Sequence, residues 1–170
     1  MLFRSVKIAF GELYVPDENG NWKRHSKTPI DPTKEIASMN AVWGPQANIR
    51  FDLVQNGTVP VRIDDRQKQV KEELASAVGR NDPDNVTLTE TIMVPKMAKL
   101  FDKLKIGGAQ LTFFLVDKLL DNNKDRPSGA TVPELGMAFI AGTHDYIRAR
   151  GRPLFDWRDY AGASTFLRQR

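Results

Sequence analysis

The chain of 170 residues contains no cysteine and only two histidines. Without cysteine it can form no disulfide framework, no thiolate metal site and no cysteine nucleophile. Its longest apolar runs, at residues 111–116 and 135–141, are far shorter than the roughly 20 residues of a membrane-spanning helix. No signal peptide is apparent, because the apolar run at residues 6–10 has no small-residue cleavage site after it. These absences predict a soluble protein with no membrane partner, and they leave the compartment open.

Hydrophobic residues make up 41% of the chain, and its length suffices for one domain with a sizeable core. The net charge of +4 is concentrated in the tail, because residues 148–170 hold six arginines and two aspartates. These arginines accompany Phe155, Trp157 and Tyr160, and such a mixture can hold phosphates and stack on bases. Since basic tails are more often solvated than bound, nucleic-acid binding is kept only as an alternative.

Residues 31–54 organise the chain, because they read as a capped helix that turns sharply into a strand. Asp31 is a good N-cap, and Pro32 suits the first helical position, where its missing N–H costs nothing. Gly44-Pro45 is expected to end the helix. The helix face that would pack on the sheet carries Ile36, Met39, Asn40 and Trp43. This spacing predicts that Trp43 is buried under the sheet.

The remaining elements follow from similar patterns. They are a strand at 6–15 with a bulge at Gly11, strands at 48–54 and 59–63, helices at 64–78 (capped by Asp64) and 95–105, and strands at 110–116 and 134–141. The run QLTFFLV at 110–116 is apolar on both faces, which predicts a central strand. Together these elements predict an α/β (α+β) fold with a mixed, twisted sheet on which helices pack.

Three segments carry a resemblance to a known family: NAVWGPQANIRFDLV at 40–54, LTFFLVDKL at 111–119 and GMAFIA at 136–141. They are similar to the N-terminal half of a metzincin-type (zincin-like) zinc metallopeptidase domain, which has a V-N-x-I-W-like helix, an I-x-F-like strand, a central strand and a G-x-A-F-I edge strand. The resemblance spans residues 6–141 and implies a hydrolase scaffold. In that family the edge strand holds the substrate backbone. The substrate-binding residues implied here are Gly136, Met137, Ala138, Phe139, Ile140 and Ala141.

The zinc helix of that family, His-Glu-x-x-His-x-x-Gly-x-x-His, has no counterpart here, because His25 and His144 are the only histidines. Pro133 and Met137 stand where PELGM would need histidines, and neither can replace an imidazole ligand. The resemblance therefore implies zinc and a peptide or protein substrate for a full-length form, and no catalytic residue, metal ligand or cofactor in this chain. Two explanations stay open: a fragment that stops before the zinc helix, or a non-catalytic binding module on the same scaffold.

The sequence is predicted to divide into three parts. Residues 1–5 form a non-native leader, residues 6–145 form a single incomplete zincin-like domain, and residues 146–170 form a basic tail that contains aromatic residues. The leader is inferred because LFRS can arise from a translated sequencing adapter. His25 is interpreted as a solvated loop side chain, and His144-Asp145 as part of a loop. The acidic alternation at residues 121–125 lacks the glycine and glutamate of a calcium loop. The oligomeric state is left open.

We expect this chain to bind zinc no better than an ordinary protein surface and to hydrolyse no peptide, because it lacks the paired histidines and their glutamate. Zinc content after dialysis, measured in the native chain and in His144→Ala, checks this. Stoichiometric zinc that is retained by the native chain and lost in the variant would contradict it.

Overall fold

A computed structural model describes residues 4–27, 29–86, 88, 92–93, 98–117, 119–120 and 129–141. The first half contains strand β1 (Arg4–Pro16), strand β2 (Trp22–Arg24), helix α1 (Pro32–Ala47), strand β3 (Ile49–Leu53), strand β4 (Val59–Arg62) and helix α2 (Lys68–Val78). These elements are followed by a 3-10 turn (Pro83–Asn85), strand β5 (Ile92–Met93), helix α3 (Ala98–Asp102), strand β6 (Leu111–Val116), strand β7 (Leu119–Leu120), strand β8 (Gly129–Val132), a 3-10 turn (Pro133–Leu135) and strand β9 (Met137–Ala141).

Seven of the described strands form one mixed sheet, and strand β1 pairs with four of the others. On one edge β1 pairs in parallel with β3 and then with β4. On the other edge it pairs in parallel with β6, and its last three residues pair antiparallel with β2. Beyond β6 lies the parallel strand β9, followed by the antiparallel strand β8. This mixed sheet with packed helices confirms the α+β fold class. β5 and β7 form a separate two-stranded pair.

Two apolar layers cover the two faces of the sheet. The first contains Met39 from α1 and is filled by Val6, Ile8, Phe10, Ile30, Ile49, Phe51, Leu111, Phe113, Leu115, Ala138 and Ile140. The second contains Leu74 from α2 and Phe101 from α3, and it includes Leu13, Val15, Phe114, Val116, Met137 and Phe139. β6 is buried at every position, which confirms the predicted central strand. α1 therefore lies on one face of the sheet, and α2 and α3 lie on the other.

This double covering explains the change of hydrophobic phase inside β1. The β1–β6 register runs without interruption from Ile8↔Leu111 to Glu12↔Leu115, so the bulge predicted at Gly11 is wrong. The first half of β1 contributes most to the α1 layer, and the second half contributes to the α2 layer. Arg4 and Ser5, which the sequence assigns to a leader, extend the same strand and pair with β3.

Gly11 is the place where β1 and β6 require a glycine. A Cβ built there would lie 2.7 Å from Cε1 of Phe114. The Phe114 ring cannot easily withdraw, because it is fully buried and stacks on Phe139 with 5.5 Å between ring centroids. The third ring of this cluster, Phe101, lies 4.6 Å from Phe139.

Helix α1 begins as predicted and ends later than predicted. The Asp31 carboxylate accepts hydrogen bonds from the backbone N–H of Thr33 and Lys34, as an N-cap should. The helix continues through Gly44-Pro45 to Ala47, where Asn48 adopts a left-handed φ of 53°. Gly44 makes this possible, because a residue without Cβ avoids the clash that proline imposes on the residue before it.

Other sequence expectations change in detail. Trp43 packs against the α1 layer but is only half-buried, so its predicted burial under the sheet is wrong. Asp64 does not cap α2. Its carboxylate accepts from the N–H of Arg66, and α2 begins at Lys68 without a side-chain cap. α3 is described from Ala98, and the expected start of that helix at residue 95 lies outside the described residues.

Gly11→Ala is expected to lower the free energy of unfolding by about 1–3 kcal/mol, because the added methyl group overpacks a rigid aromatic cluster. Chemical denaturation measures the change. Gly107→Ala is the matched control, since a Cβ at Gly107 meets no atom within 4 Å. Equal stability of the two variants would show that Phe114 can move aside.

Candidate functional site

The segment with the strongest functional expectation, residues 136–141, is built as a hairpin arm. After β8 the chain makes the 3-10 turn at Pro133–Leu135, and Gly136 ends this turn in the left-handed region with φ 63°. The N–H of Gly136 donates to Pro133 O at 3.0 Å, and its carbonyl accepts from Thr112 N at 2.8 Å. These two bonds align β9 beside β6.

The structure contradicts the prediction that residues 136–141 form an edge strand. Met137–Ile140 is paired on both sides, in parallel with β6 and antiparallel with β8, and Ala141 is paired with Val116 of β6. All five of its side chains are buried. An extended peptide adds to a strand through unpaired N–H and C=O groups, and an interior strand offers none. Substrate binding by Gly136, Met137, Ala138, Phe139, Ile140 and Ala141 stays a prediction.

The edge position belongs instead to β8. Its register with β9 runs from Gly129↔Ile140 to Val132↔Met137, and β8 pairs with no other strand in the described part of the chain. The sequence predicts a polar loop over residues 121–131, which includes the first three residues of β8. The usable signal was the β-prone pair Thr131-Val132 directly before Pro133, which cannot continue a strand into the sheet centre.

His25 occupies a second polar site, at the carboxyl ends of β1 and β6. Its backbone N–H donates to Leu13 O at 2.8 Å, and its Nδ1 accepts from the N–H of Asp117 at 2.9 Å. Nε2 is hydrogen-bonded to the carbonyl of Leu88. Nδ1 is therefore the unprotonated nitrogen, and Nε2 carries the proton. His25 as a residue is 6% exposed, so the prediction of a solvated loop side chain is wrong.

The surroundings of His25 favour its neutral form. Burial lowers the pKa of His25 below its ordinary value of 6.5, while the Leu88 carbonyl and the carboxylates of Asp117 and Asp65 act in the opposite direction. Asp65 also fixes Leu88, since its Oδ2 accepts from the Leu88 N–H at 3.1 Å. Oδ1 of Asp117 is buried and has no hydrogen-bond partner among the described residues. His25 and Asp65 together fix the backbone of Leu88, through hydrogen bonds to its carbonyl and to its N–H.

The described residues do not fit a zinc ion. Among them, no group of three or more histidine, aspartate or glutamate side chains is placed to hold a metal. Both ring nitrogens of His25 are already engaged by backbone groups. His144-Asp145, the acidic alternation at 121–125 and the basic tail lie outside the described residues.

An open pocket of about 690 Å³ lies between α1 and β3, at the border of the sheet opposite to β8. Its charged wall is centred on Asp52, whose carboxylate accepts from the Ser5 hydroxyl at 2.6 Å and from Arg50 Nε at 3.1 Å. The hydrogen bond from Ser5 lowers the pKa of Asp52 below its ordinary value, and the charges of Lys7 and Arg50 act in the same direction.

Comparisons with family models, with curated proteins and with solved structures found no match for this chain. In the described part of the chain, no helix has the length and apolar character needed to cross a membrane.

The low pKa of His25 predicts that stability falls at mildly acidic pH. Below about pH 6.5 the unfolded chain binds a proton that the folded chain resists, so the free energy of unfolding decreases as the pH is lowered. One histidine can contribute a slope of at most about 1.4 kcal/mol per pH unit. His25→Gln should flatten the dependence between about pH 7 and 5.5, measured by chemical denaturation. Equal slopes in the native chain and in His25→Gln would refute the assignment to His25.

Proposed function

We propose that this chain forms the sheet scaffold and the peptide-binding edge of a metallopeptidase-type domain, and that the peptide-binding strand is β8. The single observation that carries the proposal is the position of β8, an outermost antiparallel strand paired only with β9 among the described residues. Backbone N–H and C=O groups at such an edge bind an extended peptide by strand addition. The order of helix α1, strand β3 and central strand β6 is the order that the metzincin resemblance implies, whereas the segment that the resemblance makes the edge strand is the interior strand β9.

The chain's own part in this function is binding and orientation. β9 holds β8 in register, and β9 is itself anchored by the buried rings that surround Phe139. This support makes β8 a rigid template, because the backbone of a strand on a packed neighbour has little freedom left to lose on binding. Metal ligands would have to come from outside the described residues. A binding module without hydrolysis would use the same edge.

Amide hydrogen exchange tests the proposal. We expect the outward-facing amides of Gly129–Val132 to exchange fast in the free chain and to become protected when a soluble peptide of alternating threonine and valine is added. The amides of β6, which is interior, serve as the internal reference. Unchanged exchange at β8 with saturating peptide would contradict the proposal.

A proline pair sharpens this experiment. In an antiparallel ladder the N–H groups of neighbouring residues point to opposite sides, so one of Ala130 and Thr131 donates towards β9 and the other points outward. Proline at the fast-exchanging position should abolish peptide protection and leave the sheet intact. Proline at the slow-exchanging position should instead unpair β8 from β9. Mass analysis of the peptide after incubation distinguishes binding from cleavage.

A further inference from the structure

At the outer edge of β3, the backbone of the central residue is hydrogen-bonded to a side chain and not to another strand. The N–H of Arg4 donates to Asn48 O, and the N–H of Val54 donates to Ile8 O, so the even-numbered residues of this segment turn their backbone groups towards β1. The odd-numbered residues, with Phe51 at the centre, therefore turn theirs outward. In the described part of the chain, β3 pairs with no strand other than β1.

Asn40 of α1 reaches this edge and binds both outward groups of Phe51. Its Oδ1 accepts from the Phe51 N–H at 2.7 Å, and its Nδ2 donates to the Phe51 carbonyl at 3.0 Å. A side-chain amide has the donor and the acceptor of a peptide group, so Asn40 takes the place that one residue of a neighbouring strand would take. The pocket between α1 and β3 leaves open space beside it.

The sequence of β3 is complementary to itself in the antiparallel direction. When Ile49–Leu53 is paired with a second copy about Phe51, Ile49 faces Leu53 of the other copy and Arg50 faces Asp52. Phe51 then faces Phe51, and a hydrogen-bonded antiparallel pair exchanges both N–H···O bonds between those two residues. These are the same backbone groups that Asn40 occupies. Two cross-strand pairs of opposite charge would add to the stability of the pairing.

We propose that the outer edge of β3 is a pairing surface for a second copy of this chain, and that the Asn40 side chain holds it closed. This surface is distinct from peptide binding at β8, which stands or falls separately. Asn40 acts as a gate on self-association, because pairing of two β3 strands requires its amide to leave Phe51. Exposed strand edges are sites of unwanted pairing. A side chain that is bound to the central residue of such an edge prevents the hydrogen bonds that two copies would form there.

Asn40→Ala tests the proposal, since it removes both hydrogen bonds to Phe51. Sedimentation over a range of concentrations should show at least a tenfold stronger monomer–dimer association than in the native chain. Asn56→Ala is the matched control, because Asn56 lines the same pocket and has no hydrogen bond to β3 among those of the described residues. The control should associate like the native chain.

A charge series identifies the interface. In the Asn40→Ala background, Arg50→Glu places two acidic residues opposite each other on both sides of the central Phe51 pair and should return association to the native level. Arg50→Lys keeps the opposite charge and should preserve the dimer. Association that is insensitive to Arg50→Glu would place the contact elsewhere and overturn the proposal.

Amide exchange separates gating from a merely structural role. The Phe51 amide should be protected in the native chain, fast in dilute Asn40→Ala and protected again in the dimer. Asn40→Asp retains the acceptor for the Phe51 N–H and loses the donor to its carbonyl, so it should give an intermediate association if Asn40→Ala does not fold. Folded variants that stay monomeric, with stability reduced and Phe51 accessible, would refute the proposal.

Discussion

The sheet depends on one strand, β1, which forms hydrogen-bonded pairs with four other strands. Its 13 residues pair with β3 and β4 along one edge and with β6 and β2 along the other. Because both edges and both faces are used, β1 must supply apolar side chains for two layers and a glycine where Phe114 approaches. The helices take their positions from this strand: α1 covers one face, and α2 and α3 cover the other.

The two borders of the sheet are finished by different chemistry. At the β3 border an amide from the covering helix substitutes for a neighbouring strand at Phe51. At the other border β8 has β9 as its one partner among the described strands. A hydrogen-bonding side chain that is placed on a helix costs little to keep in position, because α1 is already fixed by its N-cap and its apolar face. Because of this difference, we expect the proposed strand addition at the β8 border.

The sequence predicts those features that arise within a short stretch of chain. The start of α1 followed from Asp31-Pro32, and the central position of β6 followed from apolar residues on both of its faces. The failures concern long-range context. Pro45 is tolerated because Gly44 precedes it and the helix has almost ended, and His25 is buried because Leu88 and Asp117, far along the chain, meet its ring. The positions of β8 and β9 in the sheet could not be predicted either. The apolar sequence of β9 indicates a buried strand, but it does not indicate whether another strand pairs with the outer edge of β9.

The junction of β1 with β6 has a consequence for how fast the chain folds. Lys7 and Gln110, which are 103 positions apart, are hydrogen-bonded at the start of this parallel pairing. Parallel strands so distant in sequence meet only after a long loop has closed, and proteins rich in such contacts fold slowly. β3 and β4, by contrast, follow β1 closely and can join it early. During folding the edge of β1 that pairs with β6 therefore stays unpaired until this late contact forms, and an unpaired apolar strand edge in a newly made chain is prone to aggregation.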